Sequence, residues 1–250
     1  MAGESVKDIV VKVIPAKVAV PFIRAHHYSH KVVQNSCLHF GAFLGGILHG
    51  VMSYGPSLDK SKMLGLVEGT KWNEFLELNR MAFDDALPRN SESRCIGISL
   101  RLIRKNAPHV KWVISFADGC SCGDGTIYRA SNFVLTGIKE NKDLCEMPNG
   151  EKVHKITAYH RTGVNNFQKF IADNHAKLLV GYQLRYIYFL DPSARARLTV
   201  PIIPFADIDK YGAGMYQGKK ITRAERHGDG AQGSESNRRI PPESGQPASS

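Results

Sequence analysis

Three imidazoles, a phenol and a hydroxyl occupy five consecutive positions: His26, His27, Tyr28, Ser29 and His30. Such density suits proton transfer or metal ligation, and a solvated or hydrogen-bonded histidine run is the plain alternative. His26 and His30 would share a face in a helix, a spacing used by some metal sites, but no second ligand cluster accompanies them. Asp118 follows an apolar run directly, and strand ends are where α/β sheets hold ligands. It can act as a general base or a metal ligand, or only cap the next turn. Arg80 interrupts the apolar ELNRMAF run. A guanidinium there requires a partner, and Glu77, Asp118 and a substrate phosphate are the options. Asn90, Ser91 and Ser93 precede a helical pattern whose free N–H groups and positive dipole end attract anions. Ser91 and Ser93 can equally be helix caps, worth about 1 kcal/mol each.

These residues need elements to hold them. Glu74 to Phe83 reads as a strand. Arg94 to Asn106 reads as an amphipathic helix, with Ile96, Leu100 and Ile103 at helical spacing. Lys111 to Ala117 has strand length, Gly125 to Ser131 suits a short helix, and Phe133 to Ile138 is a third strand. Tyr128 falls on that short helix, where core packing is its alternative to chemistry. Leu38–Leu44 and Ile47–Tyr54 flank Gly45-Gly46, a hairpin signal because both positions accept positive φ. Residues 6 to 20 alternate like a strand, and residues 55 to 73 read as a long binding loop. Residues 139 to 165 mix turns with short strands, Asn166 to Lys177 reads as a helix, and Leu178 to Leu190 as a long strand.

The net charge is +10, from 33 basic and 23 acidic residues. From Lys219 onward six basic residues face four acidic ones, so most of the excess lies in the body. A basic body favours an anionic partner, nucleic acid above all, with simple solubility as the alternative. Arg94, Arg101 and Lys105 form one helical stripe that is either a solvated face or a backbone contact. Residues 219–250 are rich in Gly, Ser, Pro and charge and read as a disordered basic tail. The 42% hydrophobic content supplies a core, and the N-terminus lacks a signal-peptide pattern. No apolar run spans a membrane, which points to a cytoplasmic protein. Five cysteines without framework spacing imply free thiols, and Cys120-x-Cys122 lacks the partners of a zinc site.

HHYSH, YGPSLD, ELNRMAF, FADG and GTIYRASNF, in that order, resemble the phage Mom DNA-modification family, a branch of the GNAT-like acyltransferases. The resemblance covers about residues 20 to 217. It implies an α/β fold with a mixed, largely antiparallel central sheet flanked by helices. The catalytic domain would be residues 1–218, with its core at about 35–140 and a C-terminal helix and strand at 166–190. It further implies conversion of adenine in double-stranded DNA to N6-carbamoylmethyladenine, which shields phage DNA from host restriction. His27, Tyr28 and Ser29 coincide with a motif of the family's active site. Tyr128 stands where GNAT enzymes often place an acid for the leaving group. Lys31, Lys60, Lys62, Arg101 and Lys105 are the DNA contacts this reading assigns, and Arg80, Asn90, Ser91, Ser93 and Arg94 the donor contacts.

One departure bears on the donor. GNAT enzymes grip the coenzyme A pyrophosphate with a glycine-rich loop, whereas this chain has RNSESRC, with Glu92 where phosphate would lie. A carbamoylmethyl group has the atoms of a glycyl group, which makes glycyl-tRNA the economical donor. Acetyl-CoA, and iron held by His27, Tyr28 and Asp118, are the alternatives within the family. Outside it stand a small-molecule N-acetyltransferase and a non-catalytic DNA-binding module.

Overall fold

The computed structural model describes residues 5–120, 123–216, 219–222 and 225. After a 3₁₀ turn at Val6–Asp8 come β1 (Val10–Val13), α1 (Ala16–His26), β2 (Leu38–Leu44), β3 (Ile47–Gly55), α2 (Lys60–Leu64) and β4 (Phe75–Phe83). Next are α3 (Ser91–Asn106), β5 (Trp112–Asp118), α4 (Thr126–Ala130), β6 (Val134–Glu146) and β7 (Lys152–His154). The chain continues through α5 (Lys155–Thr162), α6 (Phe167–Asp173), β8 (Lys177–Phe189), α7 (Pro192–Arg195) and α8 (Asp207–Lys210). Two-residue strands β9 (Met215–Tyr216) and β10 (Lys219–Lys220) pair with each other. The expected strand, helix, strand, helix, strand core is present. It lies in an eight-stranded sheet ordered β1-β2-β3-β4-β5-β8-β6-β7. Every pairing is antiparallel except β4 with β5, so the sheet is mixed and largely antiparallel, with helices on its faces.

Hydrophobic spacing explains the central elements. α3 buries Cys95, Ile96, Ser99, Leu100 and Ile103 against the main core, a stripe at helical period. Gly45 and Gly46 take φ values of 57° and 85° and close the β2–β3 hairpin as their lack of a side chain permits.

Several boundaries differ from the sequence expectation. Of residues 6 to 20, expected as a strand, only Val10–Val13 form one, and residues 16–20 begin helix α1 (Ala16–His26). Its Ala19 and Ile23, four apart, pack on Ile14, Val51 and Ala82, and that contact outweighs the alternating pattern and the missing N–H of Pro21. The 55–73 connection contains α2, and residues 139–162 form the end of β6, β7 and α5 around a satellite cluster of Cys145, Val153, Ala158 and Phe170. The helix expected over 166–177 is shorter, because β8 begins at Lys177. α3 starts at Ser91, three residues before the expected Arg94. Lys219 and Lys220 belong to a strand; Cys122 and residues 226–250 of the expected tail lie outside the described residues.

Two features of the sheet create the site. β4 and β5 pair only over Phe75–Glu77 and Trp112–Ile114, while β5 stays bonded to β8 through Asp118. The sheet is therefore split on one side of β5. Opposite, Ser53 faces Arg80 and Tyr54 faces Leu78, leaving Asn79 as the extra residue of a β-bulge. The bulge reverses which side chains meet the core. Before it Leu76 and Leu78 do; after it Met81 and Phe83 do, and Ala82 turns to α1.

Candidate active site

The split holds a cavity of about 450 Å³. Its wall takes His27 and Tyr28 from the end of α1, Leu78 to Met81 from β4, and Phe116 to Asp118 from β5. Glu92 of α3 and residues 123–128, leading into α4, complete it. Five residues singled out in the sequence thus share one chamber: His27, Tyr28, Arg80, Asp118 and Tyr128.

His27 caps the C-terminus of α1 and is buried. Its Nδ1 accepts the Ser29 N–H at 3.1 Å and lies 2.8 Å from the Ser29 hydroxyl. A neutral ring whose Nδ1 is an acceptor carries its proton on Nε2. Burial, then the charge of Arg80, then His30 push the His27 pKa down to about 4, so the ring is neutral at pH 7. Of the proton transfer and metal ligation that the histidine run suggested, His27 thus presents an N–H donor at Nε2. Ser29 is the residue that orients it.

The same tautomer decides the metal question. With Nδ1 engaged and Nε2 protonated, His27 has no lone pair to give, so His27, Tyr28 and Asp118 as arranged do not fit an iron centre. Among the described residues no cluster of three or more His, Cys, Asp or Glu could hold a metal ion. The His26/His30 pair also dissolves, because α1 ends at His26 and His30 has φ 52° with Nδ1 bonded to the Arg24 carbonyl.

Asp118 ends β5, and its Oδ1 accepts the Cys120 N–H at 2.9 Å. The turn cap is present, and the residue it fixes also lines the cavity. Tyr128 is likewise both packed and at the cavity. It packs on Phe133 and Tyr186, with centroids 5.4 and 5.2 Å away, and borders the cavity. Tyr28 is half exposed at the mouth, its ring 4.3 Å from that of His27. Arg80 makes no ion pair with Glu77 or Asp118, the partners expected within the chain, although its charge acts on the Glu77 carboxyl and partly offsets the upward push of burial on its pKa. The Arg80 Nε donates to the Lys31 carbonyl at 3.0 Å and its Nη1 to the Asn79 carbonyl at 2.7 Å, which ties the histidine segment to β4. Among the described residues no carboxylate lies within ion-pair distance of Arg80.

The start of α3 is arranged differently from the expected anion site. Ser91 is buried with its hydroxyl on the Pro88 carbonyl, and the Ser93 hydroxyl donates to the Asn90 carbonyl at 3.2 Å. Neither caps the helix, and Asn90, in the left-handed region at φ 69°, makes no side-chain cap either. Arg94 turns to the Lys7 carbonyl at 3.5 Å, away from the Arg101 and Lys105 face. None of Asn90, Ser91, Ser93 or Arg94 borders the cavity, while Glu92 does. The usual pyrophosphate cradle is not formed.

Of the expected DNA contacts, Lys31 stands by the cavity, its carbonyl holding Arg80. Arg101 and Lys105 lie exposed on the outer face of α3. Lys60 and Lys62 sit in the connection entering β4 at its paired end; Lys60 rides over Trp72 at 4.3 Å and Lys62 bridges Asp59 at 2.6 Å.

Sequence reasoning missed Asn79 and Asp124. Asp124 is buried in the wall, accepts the Thr126 hydroxyl at 3.0 Å, and its carbonyl takes the Tyr186 hydroxyl. The next residue, Gly125, has φ 83°, and a Cβ there would meet the Tyr186 ring at 2.5 Å. The Asp-Gly pair before a helix was the available signal. Asn79 left none, since a bulge depends on the neighbouring strand.

The wall therefore combines three carboxylates, Glu92, Asp118 and Asp124, one guanidinium, two phenols and a neutral imidazole. Such a set can remove a proton, donate to a developing oxyanion and hold a cationic group. Among the described residues no helix is long and apolar enough to cross a membrane.

Residues 8–207 match the model of the Mom protein family. A protein of Escherichia phage Mu named Methylcarbamoylase mom is 38% identical over 204 residues, 81% of this chain and 84% of that protein. Among solved structures, a GNAT acetyltransferase of Elizabethkingia anophelis with acetyl-CoA bound is 12% identical, covering 73% of this chain and 98% of its own, at a TM-score of 0.43. A polyamine N-acetyltransferase of Drosophila melanogaster is 11% identical, covering 73% and 100%, at 0.44. Since the family match takes in β1 through the start of α8 and so every wall of the cavity, the chain belongs to the Mom protein family.

Proposed function

We propose that this protein modifies adenine in double-stranded DNA to N6-carbamoylmethyladenine, with glycyl-tRNA as the donor, in the cytoplasm of a phage-infected host, where the product resists restriction. The observation that carries it is the convergence of His27, Tyr28, Arg80, Asp118 and Tyr128 on one cavity in a chain similar to a methylcarbamoylase.

Adenine N6 is a poor nucleophile and lies inside the duplex stack. The base must be turned outward, at a cost of roughly a few kcal/mol. Asp118 then takes a proton from N6 as N6 bonds to the glycyl carbonyl carbon. The ester bond to the tRNA ribose oxygen breaks, and that oxygen takes a proton, with Tyr128 or Tyr28 as the acid. Neutral His27 donates from Nε2 to the developing oxyanion, a role that an imidazole held uncharged can fill. In the glycyl adduct, N–CO–CH2–NH2, the amine attacks the carbonyl carbon and displaces N6, which takes the amine proton; N6 then attacks the CH2 carbon as the bond from that carbon to the amine nitrogen breaks and returns the proton, giving the isomer N–CH2–CO–NH2 without gain or loss of atoms. Arg80 braces the segment carrying His27 and offers its remaining N–H groups to the cavity.

The charge of the wall supports the glycyl donor. Glu92, Asp118 and Asp124 face one guanidinium, which suits the ammonium of an aminoacyl group and opposes a pyrophosphate. Nucleoside mass spectrometry of plasmid DNA from cells expressing the chain in nitrogen-15 glycine tests this. A mass-shifted deoxyadenosine that carries one nitrogen-15 beyond the label of unmodified deoxyadenosine in the same DNA, and that disappears with Asp118→Ala, is the expected result. Unlabelled modification would replace the donor, and unmodified DNA from soluble, DNA-binding protein would leave a non-catalytic module.

A further inference from the structure

The sheet face beside Asp118 carries cations that no acid of the chain claims. Ala117, Ile138, Leu184 and Tyr186 point into the main core, so strand alternation puts Phe116, Asp118, Lys139, Gln183 and Arg185 on the opposite face. Register sets them in two rungs. Asp118, Gln183 and Lys139 share one, and Phe116, Arg185 and Gly137 share the next. Asp118 and Arg185 are thus diagonal neighbours on adjacent strands, about 7–8 Å apart at the backbone.

Arg185 is half-buried, and its partners are neutral. Its Nε donates to the Thr136 hydroxyl at 3.1 Å and its Nη2 to the Thr136 carbonyl at 2.7 Å. Among the described residues no carboxylate lies within ion-pair distance of it. Burial pushes its pKa down, and no neighbouring charge opposes that push. Nη1 makes no hydrogen bond among the described residues and is open to solvent. Gly137 makes room for this posture, since a Cβ there would stand 3.3 Å from the guanidinium carbon. The fork is therefore laid across β6 by neutral groups with one N–H edge facing outward, an arrangement suited to an external anion. Lys139, exposed in the next rung, also makes no ion pair among the described residues, and neither does Arg80 on the other side of β5.

We propose that Arg185 binds a backbone phosphate of the DNA strand that carries the target adenine, with Lys139 beside it. This rests on the DNA-adenine reading above. A base turned into the cavity stays joined through its sugar to a phosphate on either side, and those phosphates must follow the adjoining surface. Arg185 stands beside the carboxylate assigned above to the N6 proton, which gives the guanidinium to the nucleotide that owns that N6.

Fluorescence anisotropy with labelled duplexes of about 20 base pairs tests the contact without a donor. Each duplex has one central unpaired adenine, and in two of them a neutral methylphosphonate replaces the phosphate on its 5′ or its 3′ side. The wild-type chain is expected to bind the unmodified duplex roughly tenfold more tightly than one of these two. Arg185→Gln should lose about the same factor on the unmodified duplex, show no further loss with that methylphosphonate, and have a salt slope smaller by about 1. A variant that binds like the wild type, or that loses as much again with the methylphosphonate, overturns the inference. A loss seen with glycyl-tRNA and not with the duplex gives the guanidinium to the donor and overturns it too. Because Arg185 also ties β8 to β6, the wild-type protein provides a second test. Phenylglyoxal labelling, read by peptide mass spectrometry, should mark Arg185 in the free protein and spare it with duplex bound. Absent or unchanged labelling overturns the inference, whether or not the variant folds. A wild-type chain that binds no duplex, fully paired or not, overturns the DNA reading itself.

Discussion

The two ends of the β4–β5 pair make opposite use of the same strands. At the paired end Phe75 and Trp112 stack with centroids 4.4 Å apart and planes 6° from parallel, inside an apolar cluster with Val67, Ile114 and Ile187. At the split end the ladder has stopped, a bulge has displaced Asn79, and the wall is carboxylate, amide, phenol and guanidinium. The contrast shows where rigidity comes from. β5 keeps all its bonds to β8 down to Asp118, so this carboxylate stands on a fixed strand although one side of it is open. Apolar stacking at one end holds the strands together, and polar groups that would be costly in a closed sheet are accommodated at the other.

The comparison can be broken at either end. Asp118→Asn is expected to lower modification by about 10²–10⁴-fold, the range of a general base, while shifting the urea midpoint little; quantified nucleosides and urea curves check both. Full activity in this variant would remove Asp118 from the chemistry. Trp112→Ala at the paired end should do the reverse, costing about 3–5 kcal/mol of stability through lost burial and the cavity left behind. If the protein kept its stability, the paired end would not be what holds the strands.

His27 supplies a pH test. Its folded pKa of about 4 lies below the unfolded value of 6.5, so the unfolded chain binds more protons between those values. Its contribution is complete above pH 6.5 and is lost as pH falls toward 4. Stability should drop by about 2 kcal/mol from pH 7 to pH 5, and His27→Gln should lack that part of the drop. Equal pH dependence in the two proteins would show that the imidazole is not held neutral. The smallest effect is expected on the basic surface. Lys31→Gln, beside the cavity, should weaken DNA binding a few-fold and reduce the salt slope by about 1, whereas Lys62→Gln, already paired to Asp59 at the other end, should change neither. Equal losses would place DNA across both ends.

Much of the site could be read from residue types alone. Asp118 was legible because an acid after a short apolar run almost dictates a strand end, and the histidine run because its density has no packing explanation. Glu92 was legible as a charge out of keeping with a phosphate loop. Helix α1 was not, because its helical state depends on Ala19 and Ile23 meeting Val51 and Ala82, residues far along the chain. The roles of Ser91 and Ser93 were misread for a related reason: a serine near a helix start can cap it or turn back on a carbonyl, and the backbone of Pro88 and Asn90 decided the second.

By itself the sequence determined the order of the central elements, because hydrophobic period and turn residues act over a few positions. It also carried the inventory of acids, phenols and imidazoles. The tertiary structure decided which of these meet, and in what state. The protonation of His27 depends on Ser29 geometry, burial and the nearness of Arg80; the place of Asn79 in the cavity wall depends on a register shift against β3; and the cavity exists because β4 leaves β5 after three residue pairs. Apart from the local Ser29 bond, each is a relation between segments distant in the chain, and no local pattern encodes it.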